Sequence, residues 1–106
     1  MSYISRNQAI KEIKEGLKAR SGFAWSVSGG RGTGYGSITI RARKPRAIDD
    51  YGRLSEEDRE RLAELLGLDK VSSQGVLILP NNNYYAEYIA RAKGEKPTAY
   101  GFQDWD

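Results

Sequence analysis

The sequence predicts a two-layer α+β domain in which a small, largely antiparallel three-stranded sheet is covered by helices on one face. Apolar residues recur at helical spacing in three separate segments. Two alternating runs are joined by a glycine-rich stretch, as in a hairpin, and a third short apolar run lies between the second and third helical segments. The resulting order is α-β-β-α-β-α, which we assign to residues 1–94 as one domain, followed by an acidic, aromatic tail over residues 95–106.

The first helix is predicted from its start signal and its apolar periodicity. Ser5 followed by Gln8 fits a capping box, in which side chains satisfy backbone N–H groups at the helix start. Ile13 and Leu17 belong to an apolar stripe at helical spacing, and Gly22 is expected to end the helix.

The hairpin consists of two alternating runs around residues 28–37, where glycine occupies every second position from Gly30 to Gly36. Glycine has no Cβ and lets another molecule approach the backbone closely, so the tip is either a phosphate-binding loop or a mobile connection. Alternation predicts that one face of the sheet lies against the helices and the other in water. The residues expected to face the helices are Phe23, Trp25, Val27, Ile38, Ile40 and Ala42.

The remaining elements lie in the second half of the chain. Ser55 is the predicted cap of a second helix that ends at Gly67. Residues 75–80 predict a third strand, buried on both sides or at its ends. A third helix is expected over residues 84–93, capped by an asparagine and stopped by Gly94. The predicted common core is Trp25, Ile38, Ile40, Leu62, Leu65, Val76, Ile78 and Ile89.

Charge is distributed unevenly along the chain. Residues 1–53 carry eleven Lys/Arg and four Asp/Glu, whereas residues 54–106 carry six and ten. The net charge of +3 therefore combines a basic half with an acidic half. A basic half suits an anionic partner, and an ordinary solvated surface is the alternative interpretation.

Nucleic acid, either DNA or RNA, is the anionic partner that we favour. Lysines form a row on the first helix, and arginines alternate on the water-facing side of the second strand, beside the glycine-rich tip. Cations in such positions neutralise phosphates, although a lysine row is also typical of a solvated helix face. The candidate nucleic-acid-binding residues are Lys14, Lys18, Arg20, Arg31, Tyr35, Arg41, Arg43, Lys44 and Arg46.

The C-terminal tail is a candidate partner-binding segment. It places Tyr100, Phe102 and Trp105 among acidic and amide side chains. Burial of apolar surface is favourable, so these aromatic residues are expected either to pack on their own domain or to dock on a protein partner.

The chain lacks the residues of most catalytic and metal sites. It has no histidine and no cysteine, which excludes a Ser-His-Asp triad, a thiol nucleophile and the usual zinc sites. The glycine loop matches neither the Gly-Lys-Ser/Thr nor the Gly-x-Gly-x-x-Gly fingerprint of nucleotide binding. Asp49 and Asp50 are the best carboxylate candidates, but their polar setting is typical of a turn. Likewise, the acidic cluster at residues 56–58 suits the positive end of a helix better than a metal. We therefore expect no enzyme, no cofactor and no metal.

Localisation follows from what the sequence lacks. No stretch approaches the roughly 18 apolar residues of a membrane span, and the N-terminus has no signal-peptide pattern. We expect a cytoplasmic protein with no membrane partner.

Several short patterns in the first 43 residues are shared with a known family. They are residues 17–20 of the first helix, residues 23–28 of the first strand, and residues 36–40 after the glycine-rich turn. This part of the chain resembles a small module associated with large polyvalent proteins of phages and conjugative elements. The resemblance implies mobile-element biology, with anti-defence or DNA-handling work, and carries over no catalytic residue. The chain departs from the family at residues 41–43, where Arg-Ala-Arg replaces a tryptophan-containing strand end.

Two function classes explain these features, and a third, a carboxylate enzyme, explains little of them. A nucleic-acid-binding accessory protein explains the basic half, the glycine-rich tip and the strand arginines. A protein-binding adaptor or inhibitor, of the anti-defence type that includes anti-CRISPR proteins, explains the bipolar charge and the aromatic tail. We favour the first class, and the sequence leaves the oligomeric state open.

Overall fold

The predicted α+β architecture and element order are confirmed. A computed structural model describes residues 4–30, 36–44 and 46–95, and within them it forms three helices and one three-stranded antiparallel sheet. The elements are α1 (Arg6–Ser21), β1 (Ser26–Gly29), β2 (Ile38–Arg41), α2 (Glu56–Leu66), β3 (Val76–Ile78) and α3 (Asn82–Ala92). Of the predicted tail over residues 95–106, only Glu95 is described, and the predicted partner-binding aromatic residues lie outside the described residues.

The sheet has the strand order β1-β2-β3, so β1 and β3 are its two edges. Val27 lies opposite Ile40 in the first antiparallel pair, and Ile38 lies opposite Ile78 in the second. These side chains point toward the helices and are buried, as is Trp25 just before β1. α1 packs on β1 and on α3, and α3 also contacts α2 and β3. The predicted core face of the hairpin is therefore confirmed, and the opposite side of the sheet, here called the open face, carries Ser28, Arg41 and Leu77 among its exposed residues.

Local capping signals define the helix ends. The Ser5 hydroxyl accepts a hydrogen bond from the Gln8 N–H, and the Ser55 hydroxyl accepts one from the Asp58 N–H. Gly22 ends α1 in the left-handed conformation, as predicted. α3 begins two residues earlier than expected because the Asn81 side chain is the cap that accepts from its first turn.

The first and third helices approach each other closely. A Cβ added to Gly16 would lie only 2.9 Å from the Ala92 carbonyl oxygen, so only glycine fits at this crossing. Glu12 and Lys93 join the same two helices through a 2.8 Å ion pair. The hydrogen bond from Lys93 lowers the pKa of Glu12, and the same bond raises the pKa of Lys93.

Two predictions about burial were wrong. The third strand is buried on one side only, and its Leu77 and Leu79 side chains are exposed. The physical reason is that β3 is an edge strand of a sheet with helices on one face, so alternate residues point to the open face. Leu65 is only half-buried against the core because it lies at the margin of the buried stripe of α2, whereas the other seven predicted core residues are buried.

Candidate nucleic-acid interface at the hairpin end

A cavity of about 400 Å³ opens beside the hairpin, at the end where β1 leaves the sheet and β2 enters it. We call it the hairpin-end cavity. Its lining combines the start of α1, the start of α3 and one arm of the hairpin tip. The lining residues are Ser5, Arg6, Asn7, Gly36, Pro80, Asn81, Asn82 and Tyr85.

Two helix N-termini meet at this cavity. Ser5 is the N-cap of α1 and Asn81 is the N-cap of α3, and both line it. The start of a helix carries partial positive charge because its first N–H groups have no partner within the helix. None of the described lining residues is acidic, so Arg6 supplies the only formal charge among them.

Arg6 ties the first helix to the first arm of the hairpin. Its guanidinium donates a 3.1 Å hydrogen bond from Nη1 to the Gly30 carbonyl oxygen. A Cβ added to Gly29 would lie 2.7 Å from the same nitrogen, so the guanidinium lies directly against this glycine. Arg6 is not among the candidate residues predicted from the sequence, and Gly29, a glycine inside a strand, was the available signal.

Tyr85 ties the third helix to the second arm of the hairpin. Its hydroxyl donates a hydrogen bond to the Gly36 carbonyl oxygen. Gly36 has a φ of 99°, and a Cβ added there would lie 2.7 Å from Cβ of Pro80. Both arms are therefore held by side chains from helices, and the second arm, at Gly36, lines the cavity. The predicted site residues Arg31 and Tyr35 lie outside the described residues. In the sequence Arg31 follows Gly30, and Tyr35 precedes Gly36.

The lysine row lies on the helix that starts at the cavity. Lys14 and Lys18 are exposed, and neither side chain forms an ion pair or hydrogen bond with any residue that the structure describes. The helical rise places them about 12 and 18 Å along α1 from Arg6. They can therefore contact a polyanion that extends from the cavity along this helix.

Three predicted cations lie at the other end of the hairpin. The Arg41 guanidinium donates to the carbonyl oxygens of Gln74 and Tyr51, so it holds two loops as well as being exposed. Arg43 is exposed, and Lys44 approaches Asp50 at 3.9 Å with both side chains largely in water. The structure does not bring Arg41, Arg43 and Lys44 together with the hairpin-end cavity.

The Arg20 side chain donates hydrogen bonds to the C-terminal ends of two helices. It was predicted to contact nucleic acid, but its Nη1 donates to the Leu65 and Arg91 carbonyl oxygens at 2.7 and 3.0 Å. These carbonyls belong to the last turns of α2 and α3, which carry partial negative charge. The structure thus gives Arg20 a role in joining the three helices.

Arg46, also predicted to contact nucleic acid, is bound within the domain. Its guanidinium pairs with the Asp58 carboxylate at 2.7 Å and donates to the Ala24 carbonyl oxygen at 2.7 Å. It also stacks over the rings of Phe23 and Trp25, at 4.1 and 4.5 Å from their centres. These contacts fasten the loop after β2 to α2 and to the start of β1.

Asp49, one of the two candidate carboxylates, has local structural partners. Asp49 accepts hydrogen bonds from the N–H groups of Tyr51 and Arg53, which is the turn geometry expected from the sequence. Within residues 4–30, 36–44 and 46–95, no group of three metal-ligating side chains could hold an ion. In the same part of the chain, no helix has the length and apolar character needed to cross a bilayer.

Comparison with known proteins adds no relative to this picture. No family model, curated protein or solved structure matches the chain. The resemblance to the phage and conjugative-element module therefore stays a prediction.

Proposed function

We propose that this protein is a non-catalytic nucleic-acid-binding accessory protein that holds phosphate groups at the hairpin-end cavity. One observation carries the proposal: the N-termini of α1 and α3, the Arg6 guanidinium and Gly36 of the hairpin converge on one cavity, and none of the described residues that line it is acidic. Each of these components favours an anion.

The chemistry of the cavity suits a phosphodiester. Helix N-termini present backbone N–H groups and partial positive charge, and the Arg6 guanidinium adds a formal positive charge among the lining residues. The exposed Lys14 and Lys18 continue the positive potential along α1, so successive phosphates of one strand have further cations to contact.

The contacts proposed here are directed at the nucleic-acid backbone. Phosphate contacts position a protein on its ligand but carry no sequence information. We therefore propose binding with little sequence preference. The mobile-element origin implied by the resemblance is part of the same proposal, and a protein-binding adaptor or inhibitor is its alternative.

The test replaces Asn7, an exposed residue in the first turn of α1 that lines the cavity, by glutamate. The new carboxylate would stabilise the helix start but repel a phosphate. We expect Asn7→Glu to weaken oligonucleotide binding at low salt by roughly fivefold, which corresponds to about 1 kcal/mol for one unfavourable charge near water. Fluorescence anisotropy with a labelled oligonucleotide measures this change.

The matched control is Lys70→Gln. It lowers net charge by the same amount, and Lys70 lines a different, acidic groove beside α2. We expect less than a twofold effect from the control. Equal losses in the two variants would mean that net charge, and not the cavity, determines binding, and the proposed site would be wrong.

A further inference from the structure

The third strand exposes an uncharged, apolar edge. In a chain that is 29% charged, residues 71–86 contain no charged side chain. Within this segment Leu77 is 62% exposed and Leu79 is 54% exposed, both on the side of the open face. Edge strands usually carry charges, prolines or bulges that prevent pairing with other chains. At this edge only Pro80, which follows Leu79, is of that kind.

The hydrogen-bond pattern shows which backbone groups are available at this edge. The Gly30 N–H donates to the Ser37 carbonyl oxygen, so these two residues form a hydrogen-bonded pair. From there along β1 and β2, residue pairs with and without backbone hydrogen bonds alternate. It follows that Ile38 and Ile40 of β2 direct their backbone groups to β3, and that Leu77, opposite Thr39, directs its N–H and C=O outward. By the same alternation Leu79 also points outward, and the following proline favours an extended backbone there.

We propose that β3 pairs antiparallel with β3 of a second copy of this chain, around a two-fold axis at Ile78. Leu77 then lies opposite the partner's Leu79, and these residues exchange backbone hydrogen bonds on both sides of the axis. Their side chains share the open face, so four leucines cover one another across the interface. The result is a continuous six-stranded sheet.

A second copy fits this edge better than an unrelated partner because the edge is self-complementary. The two-fold axis pairs outward groups with outward groups and leucine with leucine, and a strand without charge meets no like charge in its copy. At the N-terminal end of β3 the Gly75 N–H already donates to the Ser72 carbonyl oxygen, so it is not available to a second copy. This places the axis at Ile78 and not closer to Gly75. The interface is small compared with the roughly 1,600 Å² of a standard stable complex, so we expect a weak, concentration-dependent dimer.

Sedimentation velocity of the full chain over a range of concentrations tests the proposal. The parent is expected to shift from monomer to dimer as concentration rises, and Leu77→Lys is expected to remain monomeric. Ile48→Lys is the matched control, because Ile48 is 61% exposed and lies outside the sheet. A parent that is monomeric at every concentration, or equal dimerisation of Leu77→Lys and the parent, would overturn the proposal.

Single cysteines test the register, since the chain contains no cysteine of its own. With the axis at Ile78, position 77 lies about 5.5 Å in Cα distance from the partner's position 79, which a disulfide can span. Like positions are roughly 9 Å apart, beyond disulfide reach. A mixture of Leu77→Cys and Leu79→Cys chains should therefore cross-link at least several-fold faster than either chain alone. Equal rates would contradict this pairing.

Discussion

Replacement of Gly75 by alanine is expected to destabilise the domain by about 3 kcal/mol or more. Two costs combine at this position. Gly75 has a φ of 94°, which costs an alanine about 1–2 kcal/mol. An added Cβ would also lie 2.0 Å from the Ile40 carbonyl oxygen, in the middle of the sheet, and forced overpacking typically costs about 1–3 kcal/mol. The backbone of β2 or β3 must move to relieve this contact.

Gly22→Ala separates the two costs. Gly22 has a similar φ of 86°, but an added Cβ there meets nothing within 4 Å. We expect a loss of only about 1–2 kcal/mol from this variant, because only the backbone conformation is unfavourable. Urea unfolding of both variants measures the difference. Equal free energies of unfolding would mean that β3 does not approach β2 as described.

Replacement of Asp58 by alanine is the second change with a large expected effect. The Asp58 side chain is only 6% exposed and binds Arg46 at 2.7 Å and Arg61 at 3.3 Å. Its removal leaves the Arg46 guanidinium without its carboxylate in a largely buried position, and we expect a loss of about 3 kcal/mol. Thermal or urea unfolding provides the measurement.

The control for this prediction is Asp50→Ala. Asp50 and Lys44 approach at 3.9 Å, and both side chains are largely in water, so the pair is expected to contribute less than about 0.5 kcal/mol. A comparable loss of stability in the two aspartate variants would contradict the structural role assigned to the Arg46–Asp58 pair. Because Arg46 is half of this pair, its replacement is expected to lower the stability of the domain, and any loss of ligand binding would follow from that.

The features that the sequence predicted well depend on neighbouring residues. The cap at Ser5 acts over three residues, and the end of α1 needs only the left-handed conformation of Gly22. The core face of the hairpin follows from strict alternation in both strands. The turn at Asp49 was predicted from its polar setting, and it is local because the residues that Asp49 bonds are two and four positions away.

The features that could not be predicted from the sequence depend on residues far apart in the chain. Arg6 bonds Gly30, which is 24 residues away in the chain, and Tyr85 bonds Gly36, which is 49 residues away. The partners of Arg20 and Arg46 are likewise remote, so the sequence showed the charge of these residues and not the groups that they bind within the domain. In β3 every residue is apolar, so alternation was invisible and the exposure of Leu77 could not be recognised.

The central claim is that the hairpin end binds the phosphates of a nucleic acid. The most direct measurement is the affinity of the full chain for labelled single- and double-stranded oligonucleotides across a series of salt concentrations. We expect measurable binding at low salt and a plot of log affinity against log salt with a slope on the order of −2 to −3, from contacts with about three phosphates. No binding at low salt, or an affinity independent of salt, would contradict the claim.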